Sequence, residues 1–308
     1  MLIRWAAQSA STFMLTRVGG EAVEQATVGE VVLAYEVRGE GTPVVLVSGL
    51  GGGAEAWDAT RTRGALVEAG FRTVVFNNRG IPPTTVPEPP YTVSDMAQDT
   101  IGLIEHLDFG EPCFVMGTSL GALIAQSVAL ARPDLVRAVI LNTGGGNYPL
   151  AFRIRLEASV AAMRCGGDAA ATALRSTLLA SLPAGLLADD DIVQNMMDAW
   201  SSVGALEFAD MTGELGQQEA LLTWAREDHL DELEHMAVAC LVVANEHDSI
   251  FTLGGRHDML SRIPEAELVV IPGEGHICLN GRSMKHLNTT AVEFLRRVEH
   301  DAPNPGRG

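Results

Sequence analysis

A chain of 308 residues, 47% of them hydrophobic, has enough apolar material for one large buried core or for one core carrying an insertion. Its formal net charge of −18 and pI near 4.7 repel phosphate backbones and anionic lipid, which excludes nucleic acid and acidic membrane as expected partners and leaves a small-molecule substrate. The N-terminus lacks the apolar centre of an export signal, no stretch approaches the roughly 18 apolar residues of a membrane span, and Cys113, Cys165, Cys240 and Cys278 lack metal-ligand spacing. The cysteines read as reduced core thiols, and a cytoplasmic location is expected.

Residues 1–27 carry no clear pattern and read as an N-terminal extension. Short apolar runs then alternate with helical patterns. The predicted strands are EVVLAYEV (30–37), PVVLVSG (43–49), RTVVFNN (72–78), CFVMGT (113–118), RAVILNT (137–143), CLVVANE (240–246) and ELVVIPG (267–273). Between the third and fourth, Thr92 and Asp95 have capping-box spacing before a helix over 94–107, with Met96, Leu103, Ile104 and Leu107 on one face. After Ser119 a second helix runs through Ala122, Leu123, Ala125, Val128 and Ala129 until Pro133 stops it. Such alternation predicts an α/β fold, a mostly parallel central sheet with helices on both faces.

From 148 to 236 the strands disappear and only helical pattern remains, far longer than an ordinary strand-to-strand connection. This segment reads as a helical lid inserted between a first core part, 28–147, and a second, 237–298, with a flexible tail over 299–308. It holds fifteen Asp or Glu against five Arg, or −10 of the total charge, which fits a solvated face and disfavours anionic substrates at its edge. Its aromatic residues and methionines, among them Tyr148, Phe152, Trp200, Phe208, Met211 and Trp224, read as its own core or as pocket wall.

The chemistry begins at Gly117-Thr118-Ser119-Leu120-Gly121. Between a strand and a helix, such a turn is too tight for side chains at its two glycines, so it lifts the serine above the carboxyl edge of the sheet. The helix start beside it offers free N–H groups and a positive dipole end to an oxyanion. The competing reading is a plain helix N-cap. A serine hydroxyl needs a base, and the base needs an acid to fix its tautomer. Asp248 and His276 follow in that order, each just past a strand. Glu246 is the rival acid, whereas the other seven histidines fall on helices, in the acidic insertion, beside the acid or in the tail.

Together these motifs resemble the α/β-hydrolase superfamily over about 28–298. The oxyanion loop appears as Ser48-Gly49-Leu50-Gly51-Gly52-Gly53 with Trp57, and further motifs as Asn77-Asn78-Arg79-Gly80, Asn245-Glu246-His247-Asp248 and Gly273-Glu274-Gly275-His276. Ser48 stands where the family usually has His, Asn77 where it has Asp, and a stiff five-proline loop (81–90) where relatives have a Gly-x-Ser turn. The resemblance implies a serine hydrolase acting on a carboxylic ester, lactone or thioester of a small to moderate, neutral, hydrophobic compound, with Ser119, Asp248 and His276 catalytic. It assigns the oxyanion N–H groups to Leu50 and Leu120, and it calls for no cofactor and no metal. Perhydrolase or haloperoxidase chemistry, C–C cleavage, a tailoring cyclase or eliminase, and a non-catalytic ligand receptor remain open alternatives. The sequence leaves the oligomeric state open between a monomer and a homodimer.

Overall fold

A computed structural model describes residues 23–202 and 211–301. Its sheet has eight strands: β1 (Glu24–Val28), β2 (Val31–Arg38), β3 (Pro43–Val47), β4 (Arg72–Phe76), β5 (Cys113–Thr118), β6 (Val136–Asn142), β7 (Ala239–Asn245) and β8 (Glu267–Ile271). They are ordered β1-β2-β4-β3-β5-β6-β7-β8, with β2 antiparallel to both its neighbours and all other pairs parallel. The seven predicted strands are all present. β1 is an addition, lying largely in the expected extension: at the sheet's edge, Glu24, Gln25 and Thr27 are exposed and only Ala26 is fully buried, so no apolar run marks it.

The inner strands read as continuous apolar runs because both faces of the sheet are covered. Alternate residues part into two clusters. Val45, Val47, Val115, Val139 and Leu141 face α3 (Val93–Leu107) and α4 (Leu120–Ala131). Val44, Leu46, Phe114, Met116 and Ile140 face α1 (Ala56–Ala59), α2 (Thr62–Glu68) and the C-terminal helix, with Trp57, Leu66, Phe294 and Leu295. α3 carries the predicted box: Asp95 N–H donates to Thr92 Oγ1 at 3.1 Å and Thr92 N–H to Asp95 Oδ2 at 2.8 Å.

Between β6 and β7 every regular element among the described residues is helical: α5 (Leu150–Cys165), α6 (Gly167–Ala180), α7 (Ala184–Leu187), α8 (Asp190–Ser202), α9 (Thr212–Trp224) and a 3₁₀ turn over Asp231–His235. Most of its acidic side chains are exposed or half-buried, and Glu214 is the buried exception. Phe208 and the side chain of Trp200 lie outside the described residues. The second core part adds α10 (Leu253–Leu260) and α11 (Gly281–Asp301), so helix continues three residues into the expected tail.

The cysteine expectation is corrected in part. All four are free and Cys113 and Cys240 are buried, but Cys278 is half-buried and Cys165 is exposed. Cys165 ends α5 off the face that buries Phe152, Leu156, Val160 and Met163. Among the described residues no helix is long and apolar enough to cross a membrane.

Candidate active site

β5 delivers the chain to Ser119, and α4 starts at the next residue. Ser119 adopts φ 54°, ψ −119°, a strained conformation for a side-chain-bearing residue. The glycines permit it. A Cβ on Gly117 would lie 1.9 Å from the Gly121 carbonyl oxygen, and one on Gly121 would lie 2.1 Å from that of Val47. Ser119 stands at the N-cap position of α4 yet makes no side-chain cap bond, which removes the helix-cap reading of this serine. Its Oγ instead lies 2.8 Å from Nε2 of His276.

His276 Nδ1 lies 2.9 Å from Asp248 Oδ2. A carboxylate only accepts, so the Nδ1 proton faces Asp248 and the Nε2 lone pair faces the serine hydroxyl. Asp248 is buried, and its Oδ1 accepts the N–H groups of Ile250 (2.8 Å) and Phe251 (2.9 Å). These two bonds leave Oδ2 for the imidazole and choose between the two candidate acids. Glu246 turns away, half exposed, to accept the Gly273 N–H at 2.9 Å. Asn245 at the end of β7 holds the histidine loop through the Gly275 carbonyl at 2.6 Å, and Glu274 caps it by accepting the Leu279 N–H at 3.0 Å.

Leu50 and Leu120 flank the serine from two elements. A Cβ on Gly49 would meet the Ser119 Cβ at 3.2 Å, so the 48–53 loop runs against the elbow. Leu120 is the first residue of α4, where no intrahelical acceptor exists for its N–H. Ser48 and Asn77, two of the departures from the family pattern, both brace this loop. Ser48 Oγ donates to the Gly53 carbonyl at 3.0 Å, and Asn77 Oδ1 accepts the Ala54 N–H at 2.8 Å while its Nδ2 donates to the Pro82 carbonyl at 2.7 Å. Arg79 grips Asp99 through Nε (2.6 Å) and Nη2 (2.8 Å), a loop-to-helix fork rather than a group at the serine.

The helical segment also reaches the site. On α9, fully buried Gln217 accepts the Gly51 N–H through Oε1 at 2.9 Å and donates to the Arg79 carbonyl through Nε2, also at 2.9 Å. Beside it, burial pushes the Glu214 carboxyl above its ordinary range, with the Gln218 amide partly opposing the shift. At the other end, the Ser181 carbonyl accepts the Ile277 N–H at 3.2 Å, next to His276. Tyr148 packs on Phe152 at 4.8 Å between ring centroids, and burial together with the Asp248 charge raises its hydroxyl pKa. Trp57 belongs to the core on the sheet's other face, and Trp224 is buried against His229.

The motifs contain Asn245 and Glu274 but gave them no role, and sequence reasoning did not find Gln217 or Arg256, whose guanidinium approaches Asp248 Oδ2 to 3.6 Å. Gln217 and Arg256 are ordinary surface types in sequence and carried no local signal.

A serine on a strand-to-helix elbow, met by a histidine and an acid from later strand ends, defines the α/β-hydrolase class of proteins. The chain belongs to the alpha/beta hydrolase family, whose profile matches residues 44–284. It is 29% identical over 268 residues to "Putative non-heme bromoperoxidase BpoC" of Mycobacterium tuberculosis, covering 87% of this chain and 98% of that one. The crystal structure of that protein matches with a TM-score of 0.75 at 28% identity, over 86% of this chain and 96% of that one. "Putative carbamate hydrolase RutD" of Variovorax paradoxus is 35% identical over 113 residues, 35% of this chain and 41% of the relative. The enol-lactonase from Burkholderia xenovorans LB400 shares the fold, with a TM-score of 0.73 at 22% identity over 89% of this chain and 100% of that one.

Proposed function

We propose that the protein is a serine hydrolase that cleaves a carboxylic ester, a lactone or a thioester through an acyl-enzyme on Ser119. The observation that carries the reading is the continuous relay from Ser119 Oγ to His276 Nε2 (2.8 Å) and from His276 Nδ1 to Asp248 (2.9 Å). Ser119 Oγ attacks the acyl carbon while His276 takes its proton, and Asp248 holds the imidazole tautomer and balances the imidazolium. The N–H groups of Leu50 and Leu120 receive the oxyanion. His276 then gives its proton to the departing alkoxide or thiolate. Water, deprotonated by the same His276, attacks the acyl carbon, and Ser119 leaves with the proton restored. No cofactor or metal takes part.

The helical segment from 148 to 236 acts as a lid in this reading, on the support of its bonds to Gly51, Arg79 and Ile277. Its acidic exterior and the net charge of −18 favour a neutral, fairly hydrophobic substrate of small or moderate size. Four free cysteines fit a reducing cytoplasm.

A fluorophosphonate probe with mapping of the adduct by mass spectrometry tests the proposal. Wild type should label at Ser119, and Ser119→Ala should neither label nor turn over p-nitrophenyl esters. A well-folded wild type that stays unlabelled sinks the activated serine, and an adduct elsewhere moves it. Similarity to BpoC over 98% of that relative favours a second reading, perhydrolysis, in which hydrogen peroxide instead of water attacks the acyl carbon and a peracid leaves. Peracid formation from a carboxylic acid and hydrogen peroxide, abolished by Ser119→Ala, is its signature.

A further inference from the structure

Arg256 lies on the first turn of α10 and has no exposed surface, its charged head included. Its guanidinium stands over the Phe251 ring at 5.2 Å, and Nη2 donates to the Phe251 carbonyl. Nε and Nη1 find no acceptor among the described residues. The carboxylate paired with this cation is Asp248, whose Oδ2, at 3.6 Å from Nη2, is the same oxygen that faces His276.

A buried cation with two idle donors is a poor device for stability alone, since an apolar side chain of similar volume would fill the space without the desolvation cost. The other titratable groups around Asp248 do not replace it. Tyr148, from the β6–α5 connection, and Cys278, beyond His276, are both neutral, the first with its pKa raised and the second pushed up to about 12, chiefly by burial. Glu274 is buried and spends its oxygens on the Leu279 and Asn280 N–H groups, while Glu246 and His247 point to solvent. His257 and Asp258 lie on the exposed side of α10.

We propose that Arg256 is a positioning residue for the relay: it holds the Asp248 carboxylate in register with His276, and its positive charge repels a second positive charge on the imidazole. The inference rests on the reading of Ser119, His276 and Asp248 as catalytic machinery. At rest the buried charges of Arg256 and Asp248 balance. When His276 takes the serine proton the cluster becomes cationic, so the Arg256 charge favours passage of that proton on to the leaving group.

The test compares wild type, Arg256→Met and Arg256→Lys in the pH dependence of fluorophosphonate labelling rate and of kcat/KM. Loss of a unit charge one carboxylate away from the imidazole should move the acid limb of Arg256→Met upward by about 1 to 2 pH units, and Arg256→Lys should stay near wild type. An acid limb of Arg256→Met that coincides with wild type, or moves to lower pH, overturns the proposal. Should Arg256→Met not fold, urea denaturation of Asp248→Asn alone and combined with Arg256→Met takes its place. The neutral double variant should have the higher midpoint, and an equal or lower midpoint overturns the pairing. An unlabelled, inactive wild type defeats the hydrolase reading instead, and the denaturation comparison still reports on Arg256 and Asp248.

Discussion

Gln217→Ala isolates the contact between the helical segment and the loop that carries Leu50. The side chain is fully buried and bridges two loops, accepting the Gly51 N–H and donating to the Arg79 carbonyl at 2.9 Å each. Truncation leaves one backbone donor and one acceptor unmatched, each worth roughly 1–3 kcal/mol if kept from water. Gly51 is exposed, however, so water can replace its lost partner, and only the half-buried Arg79 carbonyl stays poorly solvated. The expected loss of stability is therefore about 1–3 kcal/mol in total, at the level of a single unmet bond rather than two. The effect on chemistry should be larger than that on binding. Gly51 adjoins Leu50, and removing an oxyanion donor altogether typically lowers kcat by roughly 10²–10³, so a donor merely loosened should lower it by about 10-fold with little change in KM. Urea denaturation measures the first quantity, and labelling rate with ester kinetics measures the second. A variant within twofold of wild type in labelling rate and with an unchanged denaturation midpoint refutes the argument that this glutamine fixes the loop.

Gly117→Ala should abolish labelling and lower the melting temperature sharply, because its Cβ would sit 1.9 Å from the Gly121 carbonyl oxygen with backbone on both sides; a variant with wild-type melting and labelling refutes this account of the elbow. Burial holds the Glu214 carboxyl above its ordinary 4.5, so the folded state keeps this proton longer than the unfolded chain does, and stability falls as pH rises from 4.5 through the raised value. Glu214→Gln should flatten that part of a urea-midpoint-versus-pH curve, and an unchanged slope counts against the buried charge. Native protein treated with a disulfide reagent at pH 8 should modify Cys165 first, since it is exposed while burial pushes the Cys113 and Cys240 thiols up to about 12; peptide mapping that finds Cys113 or Cys240 modified at the same rate contradicts the packing.

The six inner strands were legible because burial on both faces demands unbroken apolar runs, and the far edge strand Glu267–Ile271 because its own apolar run is unbroken although only Ile271 is fully buried. Gly117 and Gly121 were legible for a local reason, since the turn they bracket excludes side chains whatever the rest of the chain does. The edge strand Glu24–Val28 was not, because it borrows its pairing from Val31–Tyr35 and buries little itself. Cys165 likewise looked like its three fellows until the face of its helix was known.

At the site, the glycine-flanked turn, the strand ends and the chain order brought forward Ser119, Asp248 and His276 as candidates, but they left Glu246 in competition with Asp248. The choice between those acids lies in two backbone N–H groups, of Ile250 and Phe251, that orient one carboxylate and not the other. Gln217 and Arg256 went unseen for a related reason. A glutamine or an arginine in a helix reads as solvated surface, and its meaning comes from what packs against it from 166 residues away in the first case and from a carboxylate already claimed by a histidine in the second. Sequence by itself determined the elements, their order and the strand ends at which reactive groups could stand, because those follow from local sterics and periodic burial. Only the tertiary structure decided which polar groups meet, because hydrogen-bond partners far apart in the chain leave no local mark.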